Sequence, residues 1–370
     1  MLKRLYQYLV PKKIRHDLGE YYTPDWLAEL VLNEVDYKGD LDKRLLDPAC
    51  GSGTFLVLAI KRAKEYAHEH FIHESDTLKK ILKNIIGFDL NPLAVLAART
   101  NYLIALGDLI RYRGIDGIEI PIYLADSILV ERRGTLAGTA YVLRTSVGEF
   151  MIPSGIIDRG ILASVLSIVE ECVKVSCNQE EFIVRLLREI SIDDAEVSIL
   201  TKLYTILLKL EKEEKNRIWI RVLKNSFAPL FTGQFDYVIG NPPWVAWENL
   251  PTGYRERIRP LFQHYRLIPG KLQARVKMDL SMLFSYVGMD RYLKEGGIFG
   301  FLITQTVFVS IAGEGFRRLV LPDGTQVGVI KIHDMVDLLP FEGAQNRTGI
   351  FIAEKGKRTI FPIPYIKWRK

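Results

Sequence analysis

The stretch Lys43-Arg-Leu-Leu-Asp-Pro-Ala-Cys-Gly-Ser-Gly-Thr-Phe55 decides the fold, because it reads as a short apolar strand running into a glycine turn. The next residues, LVLAIKRAKEYAHEH (56–70), carry helical spacing, which completes strand, turn and helix. The same rhythm returns in NIIGFDL (84–90), a buried strand ending in Asp89, followed by NPLAVLAARTNYLIALGDLI with Pro92 at a helix start. A third strand, IPIYLADSI, ends at Asp126. Strands alternating with helices predict a doubly wound, mostly parallel α/β sheet. Ligands of such sheets bind at the carboxyl ends of strands, where Asp47, Asp89 and Asp126 fall.

Upstream, PDWLAELVLNEV (24–35) predicts a short amphipathic helix with Thr23 as N-cap and Pro24 at the first position. From about 130 to 228 the rhythm changes, after a loop-like ERRGTLAGT, to long helical stretches; Asn178 and Glu181 form a capping-box pattern there. This predicts a helical insertion. The α/β rhythm resumes with the strand FDYVIG (235–240), a helix through DLSMLFSYVGMDRYLKEGG and the strand IFGFLIT. Two further strands, VGVIKIHDM and RTGIFIAEK, surround a loop holding Phe341.

Composition narrows the class. A chain of 370 residues with 48% hydrophobic residues and a charge of +6 is globular rather than disordered, and no apolar run is expected to span a membrane. Cys50, Cys172 and Cys177 are too few for a disulfide framework or a zinc site, which points to a reducing compartment, the cytoplasm. His68, His70 and His73 lack a matching ligand cluster and read as a solvated helix end, Cys172 and Cys177 as core-facing thiols, and EKEEK (211–215) as a helix surface. No metal site is expected.

The glycine turn is not a dinucleotide fingerprint. Its sixth position is Leu56, and Asp89 follows Gly51 by 38 residues where roughly 20 is usual. A plain turn is the alternative, yet Asp47 before it and Asp89 after the next strand suit a nucleoside, whose ribose hydroxyls a carboxylate can accept. Asn241-Pro-Pro-Trp244, directly after FDYVIG, is the sharpest feature. Two prolines remove two donors and fix the backbone, so the Asn241 side-chain oxygen and the Pro242 carbonyl can accept two hydrogen bonds from one planar amino group. Held that way, the nitrogen lone pair is directed at an electrophilic methyl. The alternative is a strand-ending turn with a buried Trp.

GEYYTP (19–24), DPACGSGTF (47–55), GFDLNPLAV (87–95), ADSI (125–128), NPPW (241–244), LKEGGIFGFLIT (293–304) and FEGAQNRTGIFIAEK (341–355) occur in an order that resembles the gamma-class adenine-N6 DNA methyltransferases of restriction-modification systems, type IIG-like enzymes with a YTP motif above all. The resemblance implies a seven-stranded class I methyltransferase sheet, Rossmann-like, with S-adenosylmethionine as cofactor and double-stranded DNA as partner. It implies a cofactor site of Tyr22, Thr23, Asp47, Ala49, Gly51, Gly53, Thr54, Phe55, Asp89, Leu90, Asp126, Ser127 and Asn241. Asn241 and Pro242 would grip the target amine, Trp244 would stack on a flipped-out adenine, and Phe341 would pack on its other face. For Phe341 the alternative is a loop aromatic packed on the core, and for Asp126 a turn aspartate. Methylation of RNA or of a protein glutamine, and a non-catalytic cofactor-binding subunit, remain alternatives.

On this reading residues 1–36 are an N-terminal segment with a cofactor-site helix, 37–129 the cofactor half, 130–228 the insertion and 229–370 the catalytic half. The family's target-recognition domain would follow the last motif, where 15 residues remain, so recognition is expected from a separate or C-terminal specificity domain, or from the insertion. Residues 251–277 hold Arg255, Arg257, Arg259, Arg266, Lys271, Arg275 and Lys277 against Glu256 alone, which equals the net +6 of the whole chain. Tyr254, Phe262 and Tyr265 interleave them. A basic loop beside NPPW suits DNA phosphates, with Arg255, Arg257, Arg259, Lys271, Arg275 and Lys277 as the contacts. A solvated basic loop is the plain alternative.

Overall fold

The computed structural model describes residues 22–114, 117–135, 138–145, 148–212, 218–268, 278–335, 337–341 and 347–369. They form two units, one built from the two ends of the chain and one from residues 123–233.

The strands of the main sheet are β1 (Leu45–Asp47), β2 (Ile85–Asp89), β3 (Ile122–Leu124, the strand at which the division between the units falls), β7 (Phe235–Gly240), β8 (Leu293–Thr304), β9 (Val327–Asp334), β10 (Thr348–Lys355) and β11 (Tyr365–Lys367). Their order is β11-β9-β10-β8-β7-β1-β2-β3. β1 pairs in parallel with β2 and β7, and β7 with β8, while β10 runs antiparallel between β8 and β9. From β1 the chain moves outward to β2 and β3, then returns to β7 on the other side of β1. That reversal makes the β1/β7 junction the switch point, the place where such sheets bind ligands.

The helices follow the expected rhythm: α1 (Asp25–Glu34), α2 (Thr54–Glu69), α3 (Glu74–Asn84) and α4 (Pro92–Leu106). Leu27, Leu45, Phe55, Ile60, Ile85, Tyr102 and Ile239 meet in one buried core. Asn91 caps α4, its side chain accepting from Leu93 N at 3.0 Å, and Lys64 Nζ satisfies the last carbonyls of α4 at Ala105 and Leu106. The span Pro92–Tyr112 is long and apolar enough to cross a membrane by length and composition, contrary to the expectation. Ala94, Val95, Ala98, Asn101, Tyr102 and Leu106 nevertheless pack it onto the sheet.

Several expectations need correction. The sheet has eight strands rather than seven; β11 adds in parallel to β9, held by Tyr365 Oη donating to Asp334 (2.7 Å) and Trp368 Nε1 to His333 (3.0 Å). Pro24 rather than Thr23 occupies the N-cap position of α1. The helix expected through Gly297 is α-helical to Val287, continues as a π-helical turn over Gly288–Tyr292 and ends there, because β8 begins at Leu293 and takes Gly296 (φ 71°) and Gly297 into the strand. The first part of the basic stretch is not a loop: Thr252–His264 is a helix, packed by buried Ile258 and Phe262, although Pro251, Gly253 and Pro260 read as breakers.

In the second unit, the span read as a loop is the start of an antiparallel sheet of β4 (Glu131–Thr135), β5 (Gly138–Thr145) and β6 (Gly148–Pro153). Alternation along β5 is short and interrupted by Gly and Thr, which hid the strand. The long helices α5 (Leu162–Lys174), α6 (Gln179–Glu189), α7 (Asp194–Lys212) and α8 (Ile218–Phe231) follow, with a core of Phe150, Leu166, Phe182, Leu200 and Tyr204. The Asn178/Glu181 capping box is formed. Thr252–His264 of the first unit is therefore α9, and Leu280–Val287 is α10.

Candidate active site

The glycine turn after β1 is built on carboxylates. Asp47 Oδ1 accepts from Ala49 N (3.1 Å), and Asp89 Oδ2 accepts from Gly51 N (2.8 Å) while its Oδ1 accepts from Asn91 N (2.8 Å). Asn101 Nδ2, on α4, donates to Ser52 O (2.9 Å), so two neighbouring segments fix the turn. Gly51 (φ 53°) and Gly53 (φ 83°) lie in the left-handed region, and no atom stands within 4 Å of where a Gly51 Cβ would be. The turn therefore has an open face.

Asp47 is buried, and burial pushes its carboxyl well above the usual range despite the Ala49 hydrogen bond, with Asp89 nearby adding to the shift. Its neighbour across the switch point is the end of β7: a Cβ on Gly240 would lie 2.5 Å from Asp47 Oδ1. Gly240 thus lets the two strand ends close. Sequence reasoning passed over it, although a glycine immediately before Asn-Pro-Pro is the available signal.

Asn241 follows at once. Its Nδ2 donates to Thr23 Oγ1 at 3.2 Å, which joins the segment before α1 to the end of β7. Thr23 is buried, and Tyr22 Oη donates to Asp25 (3.3 Å); residues 19–21 of GEYYTP lie outside the described residues. Thr54 and Phe55 open α2 with both side chains buried, Phe55 in the core, so their outward chemistry is that of a helix start. Ala49 is half-buried and Leu90 is exposed. Asp126 and Ser127 belong to the second unit, where Asp126 Oδ1 accepts from Ile128 N (3.0 Å) and Leu129 N (2.9 Å), the pattern of a turn aspartate.

The two aromatics do not stand apart. Trp244 and Phe341 are buried and meet edge to face, with centroids 4.9 Å apart at 83°, and Trp244 Nε1 donates to Leu302 O at 3.2 Å. A base between two faces needs carbon contacts of about 3.5 Å on each side, so the expected sandwich does not fit this arrangement. Residues 342–346, which follow Phe341, lie outside the described residues.

Arg255, Arg257 and Arg259 ride on α9, with Arg257 and Arg259 exposed and Arg255 half-buried. Phe262 and Tyr265 are buried, Tyr265 Oη donating to Asp290 (2.8 Å), so these aromatics serve packing. Lys271, Arg275 and Lys277 lie outside the described residues. The segment after NPPW is pinned by Asp279, which bridges Ala246, and by Leu280 N donating to Val245 O (2.9 Å). Asp279 also caps α10 by accepting from Ser281 N (2.8 Å), and burial pushes its carboxyl up to about 6.

Asp279 makes stability depend on pH. With the folded value above the usual 3.8, the folded state binds the extra proton, so this group's contribution declines as pH rises from about 4 to about 6 and is constant above. Asp279→Asn keeps the cap acceptor and removes the titration. Its Tm relative to the natural protein should rise by a few degrees over that window and then level off; a pH-independent difference would assign the slope elsewhere.

Among the described residues no group of three or more metal-ligating side chains gathers. Comparison with known proteins decides the family. Residues 83–336 match the family described as Eco57I restriction-modification methylase, and residues 1–142 match N-6 DNA Methylase. The chain belongs to the Eco57I restriction-modification methylase family. It is 30% identical over 122 residues to the type I restriction enzyme MjaVII methylase subunit of Methanocaldococcus jannaschii, covering 33% of this chain and 17% of that protein. It is 26% identical over 171 residues to the modification methylase CviBIII of Paramecium bursaria Chlorella virus NC1A, covering 46% and 37%. This family member thus spans well under half the length of these relatives.

The fold agrees with solved structures. The DrdV–DNA complex superposes with a TM-score of 0.54 at 17% identity, over 99% of this chain and 30% of that one. A nuclease-deletion mutant of the type ISP enzyme LlaGI, in complex with a DNA substrate mimic, gives 0.52 at 16%, over 94% and 24%. The described chain thus shares its fold with these two solved structures.

Proposed function

We propose that the chain is the methyl-transfer part of an adenine-N6 DNA methyltransferase of a restriction-modification system, using S-adenosylmethionine on double-stranded DNA. The observation that carries this is Asn241, tied to Thr23 at the switch point beside the Asp47–Gly51–Asp89 turn. Support comes from relatives named as restriction-enzyme methylases and from related folds captured on DNA.

The cradle suits the cofactor: the open face over Gly51 would admit it, the α2 start and turn would hold its methionine part, and Asp89, at the end of β2 beside the turn, would take its ribose hydroxyls. Bound, S-adenosylmethionine supplies a methyl on a positively charged sulfur. With its Nδ2 given to Thr23, the Asn241 amide offers its oxygen as acceptor, and Pro242, lacking N–H, offers only its carbonyl. Two such acceptors would hold both amine hydrogens and direct the nitrogen lone pair at the methyl, whose bond to sulfur would break as the N–C bond formed, the sulfur keeping that electron pair and the nitrogen passing one proton to water. Phe341 withdraws from Trp244 to admit the extruded adenine, whose stacking is worth roughly 1–3 kcal/mol.

Label transfer from methyl-labelled S-adenosylmethionine, offered duplex DNA, RNA and protein separately, tests this. Label in DNA supports it; label only in RNA or protein overturns it. The α9 arginines would hold phosphates. Reversing Arg255, Arg257 and Arg259 to Glu should weaken DNA binding and flatten its log–log salt slope by up to about three, roughly one for each phosphate no longer held. An unchanged slope makes α9 a plain solvated surface.

A further inference from the structure

The rim that carries Asn241 also carries an apolar feature that methyl transfer leaves unused. After β8 ends at Thr304 the chain forms one turn, Thr306–Val309, and another, Ile311–Gly313. Val309 and Ile311 stand 65% and 64% exposed. Single exposed aliphatics are ordinary, but this pair sits on a rigid knuckle. Ser310 N donates to Thr306 O (2.9 Å), and Arg317 Nη1 braces the knuckle by donating to Val307 O (2.9 Å) and Ser310 O (2.8 Å). A Cβ on Gly313 would lie 1.9 Å from Val307 O, so the turn is closed tightly. Both exposed side chains are β-branched and hence stiff.

Its position is set by the strands. β1, β2, β7 and β8 are parallel, so the knuckle leaves the sheet at the edge where Asp47, Asp89 and Asn241 lie, and Trp244 is bonded to Leu302 two residues before that edge. The segment after the knuckle touches the end of the basic helix: a Cβ on Gly315 would lie 2.7 Å from Arg266 O. Arg317 and Arg318 are exposed, and Glu314 is the single acid from 305 to 320. Cations on both sides favour a polyanion over an apolar protein surface.

We propose that the Val309–Ile311 knuckle is a wedge that enters the base stack beside the extruded adenine and fills the gap it leaves, while α9 holds the flanking phosphates. Apolar side chains inserted between base steps do this in other DNA-bending proteins. The inference rests on the DNA reading above.

The test uses the full natural protein and the double variant Val309→Ala with Ile311→Ala, whose exposed positions leave folding within about 0.5 kcal/mol. Two duplexes are compared, one with the target adenine paired and one with it opposite an abasic site, where extrusion is already cheap. Methyl transfer to the paired duplex should fall about tenfold or more, and to the abasic duplex by less than about twofold. Equal losses on both, as for a surface that docks another protein domain, or no loss on either, would overturn the wedge. If the natural protein methylates neither duplex, the DNA reading itself fails and the wedge with it.

Discussion

Replacing Asn241 by alanine is expected to lower methyl transfer by about 10²- to 10³-fold, the cost of removing one positioned acceptor from a reacting centre. Cofactor binding should stay near normal, because the turn at Gly51 is held by Asp47, Asp89 and Asn101 rather than by Asn241. Stability should fall by only about 1 kcal/mol, the worth of the hydrogen bond to Thr23. Rate measured at saturating cofactor, alongside calorimetric cofactor binding, separates these effects. A variant that transfers at the natural rate would remove Asn241 from the chemistry; one that loses cofactor binding in proportion would make it a structural link.

The second large effect lies one residue earlier. Gly240→Ala puts a methyl group 2.5 Å from Asp47 Oδ1, the oxygen of a buried carboxyl that accepts from Ala49 N. Overpacking of this kind costs about 1–3 kcal/mol, and here it acts between the two strand ends that meet at the switch point. Because Asp47 holds Ala49 N, displacing Asp47 displaces the turn. Gly240→Ala should lower Tm by several degrees and weaken cofactor binding, whereas Asn241→Ala should leave both close to the natural values. A well-folded Gly240→Ala protein with unchanged cofactor affinity would disconnect the strand end from the cradle.

Much of this architecture was legible in the sequence for a definite reason. FDYVIG is buried on β7 and flanked by Gln and Pro signals, and it forms strand Phe235–Gly240 with the boundaries read from it. The glycine turn and the helix start at Pro92 likewise carry local chemistry that tertiary packing does not override. What was missed depends on partners distant in the chain. β11 is three residues of mixed polarity whose place comes from Asp334 and His333, and α9 forms across Pro260 because Ile258 and Phe262 find a core. The Trp244–Phe341 contact joins residues 97 apart, and no local pattern shows that two aromatics expected on either side of a base rest on each other. Gly240 reads as a strand end until the opposing carboxylate is seen.

The central claim is that the acceptors at Asn241 and Pro242 direct an exocyclic adenine nitrogen to the methyl group. Digesting labelled duplex DNA to nucleosides after reaction with the full natural protein tests it most directly. The account predicts all of the label in N6-methyl-2′-deoxyadenosine, and its loss with Asn241→Ala. Label in another nucleoside, or equal label with the variant, would contradict it.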